Sequence, residues 1–223
     1  MEPRIGALVV GQSPRLEVDE EFQRLAKGSA QLVVKGALDG FSRDELELFQ
    51  PVDNKDALFT RLPSGEGISL SKKQVISNGA DKLNELKMSG VDVVIMLCTG
   101  TFPEWQDFKG VLFPSNTLSS MVKGCLQTGK ICVFSPLQRQ CAASQLRWEE
   151  NGYDVVSLSL LPNATKEEAV LAGQAAGRHD LDLIILDCIS YTNETKKIIR
   201  ETAGVPVILG LSSAIRTALE MVE

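Results

Sequence analysis

The chain has 223 residues, of which 43% are apolar and 23% are charged, as in an ordinary globular protein. Its 29 acidic and 23 basic residues give a net charge of -6. No nucleic-acid partner is expected, because binding a phosphate backbone needs a dense set of Lys and Arg side chains. The apolar runs are too short for a signal peptide or a membrane span, so we expect a cytoplasmic protein that does not bind membranes.

Short apolar runs alternate with segments of helical periodicity along the chain. Strands are predicted near residues 4–10, 31–35, 91–97, 131–134, 153–157, 182–186 and 205–209. Helices are predicted at about 17–28, 71–89, 115–128, 137–151, 165–178, 192–203 and 211–222. This alternation predicts an α/β fold with mostly parallel sheets flanked by helices. Residues 38–70 depart from it, and they are predicted to insert a short helix and a β-hairpin.

The two halves of the chain repeat one pattern. The first strand runs into VVGQSPR and the strand near residue 131 runs into VFSPLQR, so each half has a Ser-Pro pair. A later apolar strand ends in a cysteine in each half, at Cys98 in VDVVIMLCTGT and at Cys188 in LDLIILDCISYT. We interpret this as two half-repeats of one α/β unit. Chance is the alternative, since short apolar runs with Ser-Pro are common.

Both cysteines lie where a predicted parallel strand ends, which is the edge at which α/β proteins bind ligands. A thiol can act as a base when ionised and as an acid when protonated. If the halves face each other, one of Cys98 and Cys188 could remove a proton from a carbon and the other could return one to its opposite face. Candidate hydrogen-bond donors beside them are Thr99, Thr101, Ser190 and Thr192. The alternative is a pair of buried structural cysteines.

The remaining cysteines have no counterpart in the repeat, and Cys125, Cys132 and Cys141 are predicted to fill the core. Five cysteines without CxxC spacing are expected to be free thiols in a reducing compartment. The single histidine, His179, lies in a polar loop, so no metal site is expected. The GxxxxGK[ST] phosphate loop is absent.

A small carboxylate or carbonyl substrate would need hydrogen-bond donors or an arginine. Ser115 and Asn116 start a predicted helix and could supply such donors, although helix capping explains them equally well. Arg15 and Arg61 flank predicted turns and could bind a carboxylate, although most arginines are surface residues. The residues close to the cysteines that we also predict to bind substrate are Thr101, Ser190 and Tyr191.

The chain resembles the AroM family, within the aspartate/glutamate racemase superfamily. The resemblance is carried by VVGQSPR (9–15), GALDGFS (36–42), LFTRLPSG (58–65), MLCTGTFPE (96–104) and LDCISY (186–191). It implies two pseudo-symmetric α/β domains, an active site between them that needs no cofactor, and a homodimer. It also implies that the last helix returns to the first domain, so that residues 1–114 and 211–223 form one domain and residues 115–210 the other. Matching motifs make Cys98 and Cys188 the acid/base pair. The substrate-binding residues that the resemblance implies are Gln12, Ser13, Thr99 and Gly100.

Racemases of this superfamily usually carry Cys-Asn-Thr and Cys-Thr-His, where this chain has Cys98-Thr99-Gly100 and Cys188-Ile189-Ser190. The leading hypothesis is a cofactor-independent racemase or epimerase that acts at a carbon next to a carboxylate or carbonyl. Three alternatives stay open. They are a decarboxylase with one thiol as proton donor, a cis-trans isomerase in which a thiolate adds to the substrate, and a non-catalytic protein that binds small carboxylates.

Overall fold

A computed structural model of the chain describes residues 2–223. The chain forms two compact units. The first unit runs up to Ser115 and includes Ala214–Glu223, and the second unit is Asn116–Ser213. The domain boundaries given above stay a prediction.

The elements of the first unit are, in chain order, β1 (Arg4–Val9), α1 (Leu16–Ala26), β2 (Gln31–Gly36), α2 (Arg43–Glu47), β3 (Ala57–Arg61), β4 (Gly67–Ser71), α3 (Lys72–Met88), β5 (Val93–Leu97) and β6 (Val111–Leu112). Helix α4 (Pro114–Cys125) then leads into the second unit. The elements there are β7 (Lys130–Ser135), α5 (Cys141–Glu149), β8 (Asp154–Ser159), α6 (Lys166–Ala176), β9 (Leu183–Leu186), α7 (Asn193–Ala203) and β10 (Val207–Leu209). Helix α8 (Gly210–Glu220) returns the chain to the first unit.

Each unit contains a four-stranded parallel sheet, and the two sheets have the same connectivity. The strand order is β2-β1-β5-β6 in the first unit and β8-β7-β9-β10 in the second. The middle strands β5 and β9 are buried along their whole length, as expected for parallel strands covered on both faces. The predicted α/β fold with parallel sheets flanked by helices is confirmed. Strand β6, which has only two residues, was not predicted because so short a run has no detectable periodicity.

Strand pairing defines which residues are equivalent in the two units. Ile5 pairs with Val93 in the first unit, and Ile131 pairs with Leu183 in the second. Counting onward from Val93 and Leu183, Cys98 and Cys188 occupy the same position just beyond their strands. The Ser-Pro pairs are not equivalent, because Ser135 is the last residue of β7 whereas Ser13 lies beyond the end of β1. The sequence repeat is therefore right for the cysteines and wrong for the Ser-Pro pairs.

The first unit differs from the second by the predicted insertion between its second strand and the following helix. There, α2 is followed by the antiparallel hairpin β3-β4, in which Phe59 pairs with Ser69. Ser42 and Glu45 form a reciprocal capping box that starts α2. The hairpin belongs to the core of this unit, since Leu58 and Leu70 pack in the same apolar cluster as residues of β1 and β5.

A second apolar cluster forms the core of the second unit around Trp148 and Ile185. Cys132 and Cys141 are buried as predicted, but Cys125 is exposed, so its prediction as a core residue is wrong. Cys125 is the last residue of α4, and the exposed end of a helix places its side chain in solvent. None of the helices between residues 2 and 223 combines the length and apolar composition that a membrane span requires.

Candidate active site

Three loops leave the sheet of the first unit at the same edge. Val9 at the end of β1 pairs with Gly36 on one side and with Leu97 on the other, so the carboxyl ends of β1, β2 and β5 are level. The loop after β1 carries Gln12 and Ser13, and the loop after β5 carries Cys98. The register thus brings the predicted substrate loop and the predicted catalytic cysteine to one edge of one sheet.

Cys98 is partly exposed at this edge, and its sulfur accepts a hydrogen bond from a backbone group two residues later. The Gly100 N–H lies 3.3 Å from Cys98 Sγ. An N–H donor stabilises negative charge on sulfur relative to the neutral thiol. A Cβ at Gly100 would make ordinary van der Waals contacts with Cys98 Sγ at 3.4 Å and with Leu58 at 3.5 Å, so the backbone at residue 100 lies close to both side chains. Thr99 is buried and Thr101 is exposed.

Gln12 and Ser13 are held by the loop that follows β2. The Gln12 side-chain amide donates to the carbonyls of Leu38 and Phe41, at 3.2 and 2.6 Å. The Ser13 N–H and hydroxyl donate to the two carboxylate oxygens of Asp39, at 2.7 and 2.8 Å. The polar groups of both predicted substrate-binding residues therefore fix the loop. Sequence reasoning missed Asp39, although its GALDGFS segment places one carboxylate among small and apolar residues.

The inserted hairpin packs directly behind this loop. Thr60 on β3 closely approaches Gly11, where a Cβ would lie only 2.9 Å from the threonine side chain. The Arg15 Nη1 group donates to Thr60 Oγ1 at 3.1 Å, and the buried Arg15 side chain also pairs with Glu17. A substrate carboxylate at Arg15 would have to compete with Glu17 for the guanidinium group.

The other predicted residues of the first unit lie in different surroundings. Arg61 ends β3, and its Nε donates to the Gly65 carbonyl at 3.4 Å, within the hairpin turn. Ser115 is buried in the first turn of α4, and Asn116, the first residue of the second unit, is exposed. Arg61 thus serves the hairpin turn, and Ser115 and Asn116 lie at the start of the helix as predicted.

Cys188 in the second unit has the same local geometry as Cys98. It follows β9 closely, and its sulfur accepts a hydrogen bond from the Ser190 N–H at 3.4 Å. Residue 188 is buried, with 8% of its surface exposed. Both cysteine loops thus place a backbone N–H two residues beyond the cysteine against the sulfur. Two equivalent strands with different sequences are thus followed by the same N–H to sulfur contact.

Tyr191 fastens the Cys188 loop to the neighbouring loop after β8. Its hydroxyl donates to the Leu160 carbonyl at 2.6 Å, and the Leu160 N–H donates to the Ser135 carbonyl at 3.0 Å. Burial, followed by nearby Cys188 and Asp187, raises the pKa of the Tyr191 phenol well above its usual value. The phenol therefore stays protonated and keeps donating, which gives Tyr191 a role in shaping the loop.

Asp187, directly before Cys188, forms a buried polar cluster that sequence reasoning missed. Its Oδ2 accepts a hydrogen bond from Trp148 Nε1 at 3.0 Å, and its carboxylate pairs with Arg147. Asp187 is 6% exposed. A carboxylate at the end of the apolar run LDLIIL is an unusual choice for a core position, and that is the signal by which the sequence could have identified it.

Cys132 and Cys141 lie in the same unit but have the environment of structural residues. Burial raises the pKa of Cys132 to about 12, with a smaller effect from Cys141. A thiol that ionises so high cannot serve as a base near neutral pH. Among residues 2–223, no three His, Cys, Asp or Glu side chains cluster so as to hold a metal ion.

Solved structures with the same fold include several enzymes, all of low sequence identity to this chain. An arylmalonate decarboxylase is 16% identical, with a TM-score of 0.63 over 98% of this chain and 92% of that one. Glutamate racemase RacE1 from Bacillus anthracis is 16% identical, with a TM-score of 0.61 over 96% of this chain and 79% of that one. A maleate cis-trans isomerase from Nocardia farcinica, solved as a mutant with a covalently bound succinylcysteine intermediate, is 14% identical, with a TM-score of 0.64 over 98% and 92%. These likenesses establish an aspartate/glutamate racemase-like fold.

No curated protein matches the sequence significantly. Residues 5–222, which are nearly the whole chain, match the protein family described as "AroM protein". Cys98 and Cys188 lie within this match, as do the GQSPR and GALDG loops. The chain belongs to the AroM family.

Proposed function

We propose that the protein is a cofactor-independent isomerase of the racemase or epimerase type. Its substrate is a small molecule with a hydrogen on the carbon next to a carboxylate or carbonyl group. The catalytic groups are the thiols of Cys98 and Cys188. The proposed substrate-binding residues are Arg15, Thr99, Gly100, Thr101, Ser115, Asn116 and Ser190. Four more predicted residues, Gln12, Ser13, Arg61 and Tyr191, shape the loops of the site through their own hydrogen bonds.

The equivalence of the two cysteines carries the proposal. Cys98 and Cys188 follow equivalent strands of two sheets with the same connectivity, and each sulfur accepts an N–H from the residue two positions later. A structural cysteine has no need of this arrangement, and it does not require a matched partner in the other unit. A two-base racemisation, in which the proton leaves one face of a carbon and another arrives at the opposite face, uses two such groups.

The proposed reaction needs only proton transfers. One cysteine, as a thiolate, takes the proton from the carbon and becomes a thiol, while the electron pair delocalises into the neighbouring carbonyl or carboxylate. The other cysteine, as a thiol, then donates its proton to the opposite face and becomes a thiolate. The N–H groups of Gly100 and Ser190 stabilise whichever sulfur is negative.

The structural relatives support this class of chemistry at the level of the fold. A racemase, a decarboxylase and a cis-trans isomerase share the fold with this chain. The structure of the isomerase mutant contains a succinylcysteine intermediate, so a cysteine of that protein bonds covalently to a succinyl group. Decarboxylation with one thiol as the proton donor and cis-trans isomerisation by thiolate addition are therefore the outcomes to distinguish from racemisation. A homodimer, a cytoplasmic location and the absence of a nucleic-acid partner stay predictions.

The test is to incubate a set of chiral carboxylic acids with the protein in deuterated water and to follow deuterium at the α-carbon by NMR. We expect exchange and loss of optical activity for one class of acid. Cys98→Ser and Cys188→Ser should each lower the rate of racemisation by about 10²- to 10⁴-fold, the usual contribution of an acid/base group. Release of carbon dioxide would instead identify a decarboxylase.

The matched control is Cys125→Ser, which removes an exposed thiol outside the cysteine loops and should leave the rate unchanged. Exchange that persists at the wild-type rate in both of the other variants would contradict the proposal. Tight binding of an acid without any exchange, in the wild type, would favour the non-catalytic binding protein.

A further inference from the structure

We propose that Arg147, together with the buried Asp187 and Trp148, forms a positioning device that holds Cys188 in place. This inference rests on the proposed function of Cys188. Asp187 is a positioning residue here, because it acts through its covalent neighbour and through the strand end that carries the thiol.

Asp187 is anchored by three contacts on two neighbouring elements. Its N–H donates to the Phe134 carbonyl of β7 at 3.0 Å. Its carboxylate accepts from Trp148 Nε1 at 3.0 Å and pairs with Arg147, both on α5. The residue directly before Cys188 is therefore tied both to the next strand of the sheet and to the helix covering it.

Trp148 and Asp187 are the buried groups of the anchor, whereas the side chain of Arg147 is 30% exposed. Trp148 is 1% exposed and packs in the core of the second unit, against the ring of Tyr153. Arg147 lies over the same indole, with its guanidinium carbon 5.5 Å from the ring centroid. The ion pair holds the charged group of Arg147, and the indole holds the plane of its guanidinium. Arg147 therefore restricts the position of the Asp187 carboxylate more than a mobile surface lysine would.

The first unit shows that folding alone does not require this cluster. The residue equivalent to Asp187 is Leu97, which precedes Cys98 and is buried as an ordinary apolar core residue. Apolar residues can replace a buried ion pair without loss of stability, and often with a gain. The chain nevertheless retains a carboxylate beside one cysteine only, which points to a requirement at Cys188 beyond stability.

Two further contacts locate the same loop from its other side. The Ser190 N–H donates to Cys188 Sγ, and the Tyr191 hydroxyl donates to the Leu160 carbonyl. Cys188 therefore lies between an ionic anchor at residue 187 and a hydrogen-bonded anchor at residue 191. The first cysteine loop has the hairpin strand β3 nearby instead, with Leu58 close to Gly100.

The decisive variants are Asp187→Leu, which copies the first unit, and Arg147→Met, with Arg147→Lys as the conservative rescue. Asp182→Asn is the matched control, because Asp182 lies just before the opposite end of β9 and accepts from the Lys130 N–H at 2.8 Å. Amide hydrogen exchange of residues 187–191 and of residues 97–101 is measured by mass spectrometry in each protein. This readout does not depend on turnover. In parallel, kcat and KM are measured for the acid identified by deuterium incorporation.

We expect amide exchange to accelerate at least 10-fold at residues 187–191 in Asp187→Leu and Arg147→Met, and to stay unchanged at residues 97–101. We expect kcat to fall at least 10-fold with KM within about threefold, and Arg147→Lys, which keeps the charge but not the planar group, to recover only part of both properties. Asp182→Asn should match the wild type in both measurements. If Asp187→Leu does not fold, Arg147→Met and Trp148→Phe decide by the same criteria.

Unchanged amide exchange at residues 187–191 in these variants would overturn the proposal. Faster amide exchange with an unaltered kcat would also overturn it, because the cluster would then only stabilise the fold. If the wild-type protein exchanges no α-proton of any acid, the proposed function fails, whereas the anchoring of Cys188 is still supported or overturned by amide exchange.

Discussion

The two units of this protein build the same strand edge and support it in different ways. In each, a cysteine follows a buried parallel strand and its sulfur accepts an N–H from the residue two positions later. The first unit supports its edge with an inserted hairpin, whose Thr60 and Leu58 lie against the loops. The second has no such insertion, and an ion pair between the buried Asp187 and the partly exposed Arg147 anchors its cysteine loop. One scaffold can thus hold equivalent thiols by apolar packing or by a polar cluster.

The largest expected effect comes from removing the apolar support of the first unit. Leu70 on β4 is fully buried in the core of that unit. Leu70→Ala should lower the free energy of unfolding by about 2–5 kcal/mol, because it removes buried methyl groups and leaves a cavity. Urea unfolding followed by circular dichroism measures the change.

Leu48→Ala is the control within the same insertion. Leu48 is 81% exposed, so its truncation should change the free energy of unfolding by less than about 0.5 kcal/mol. Equal losses in the two variants would mean that the hairpin is not part of the core. The conclusion that apolar packing supports the strand edge in the first unit, and a polar cluster in the second, would then be wrong.

A smaller effect is expected from the loop contact between Gly36 and the Gln12–Ser13 segment. A Cβ at Gly36 would lie 2.5 Å from Asp39 Oδ1 and from the Gly11 carbonyl oxygen, and 2.6 Å from Gln12 Cα. Two of these neighbours are backbone atoms that cannot rotate away. Gly36→Ala should therefore cost about 2–3 kcal/mol of stability, as overpacking usually does.

The same substitution elsewhere provides the contrast. Gly124 lies in α4, where an added Cβ would meet no atom within 4 Å beyond its chain neighbours and the backbone of its own helix, so Gly124→Ala should stabilise the protein by up to about 1 kcal/mol through helix propensity. Both changes are measured by urea unfolding. A Gly36→Ala protein as stable as the wild type would show that the loop after β1 and the end of β2 are not tightly packed against each other.

The sequence predicted the parts of this architecture that local pattern controls. Apolar runs predicted β5 and β9, and the departure at residues 38–70 predicted the insertion with its hairpin. The equivalence of Cys98 and Cys188 was also readable, because both lie just beyond such runs. The Ser-Pro pairs misled, since strand register depends on pairing partners distant in the sequence, and Ser135 aligns with Val9. The roles of Asp39 and Asp187 were hidden for the same reason, as their donors come from residues 26 and 39 positions away.

The third prediction concerns Cys132, whose equivalent in the first unit is Gly6. Burial raises the pKa of the Cys132 thiol from 9.0 to about 12. The unfolded chain therefore loses this proton first as the pH rises above 9, and the folded state loses stability until the pH reaches about 12. Between pH 9 and 10 the loss amounts to about 1 kcal/mol.

Cys132→Ala should remove this dependence, whatever it costs in overall stability. The free energy of unfolding of the wild type should fall about 1 kcal/mol more than that of the variant between pH 9 and 10. Urea titrations at pH 8, 9 and 10 give both slopes. Parallel slopes would show that the pKa of the Cys132 thiol is the same in the folded and unfolded chain. Burial in β7 would then not penalise the ionised thiol.

The smallest effect is expected from substitutions at the amino ends of the strands, where the two units are most alike. Asp92 accepts from the Arg4 N–H at 2.8 Å and donates its own N–H to the Arg4 carbonyl at 2.8 Å. Asp182 makes the same two contacts with Lys130, at 2.8 Å each. Asp92→Ala and Asp182→Ala each remove one charge-assisted hydrogen bond at an exposed position, and each should cost about 1 kcal/mol.

Because the lost contacts are identical, the two costs should agree within about 0.5 kcal/mol in urea unfolding. Asp180→Ala, at an exposed position two residues before Asp182, should cost less than either. A difference of more than about 1 kcal/mol between Asp92→Ala and Asp182→Ala would mean that equivalent strands are not equally stabilised. The divergence between the units would then begin at the amino ends of the strands. Agreement would confine the divergence to the carboxyl ends, where the cysteines lie.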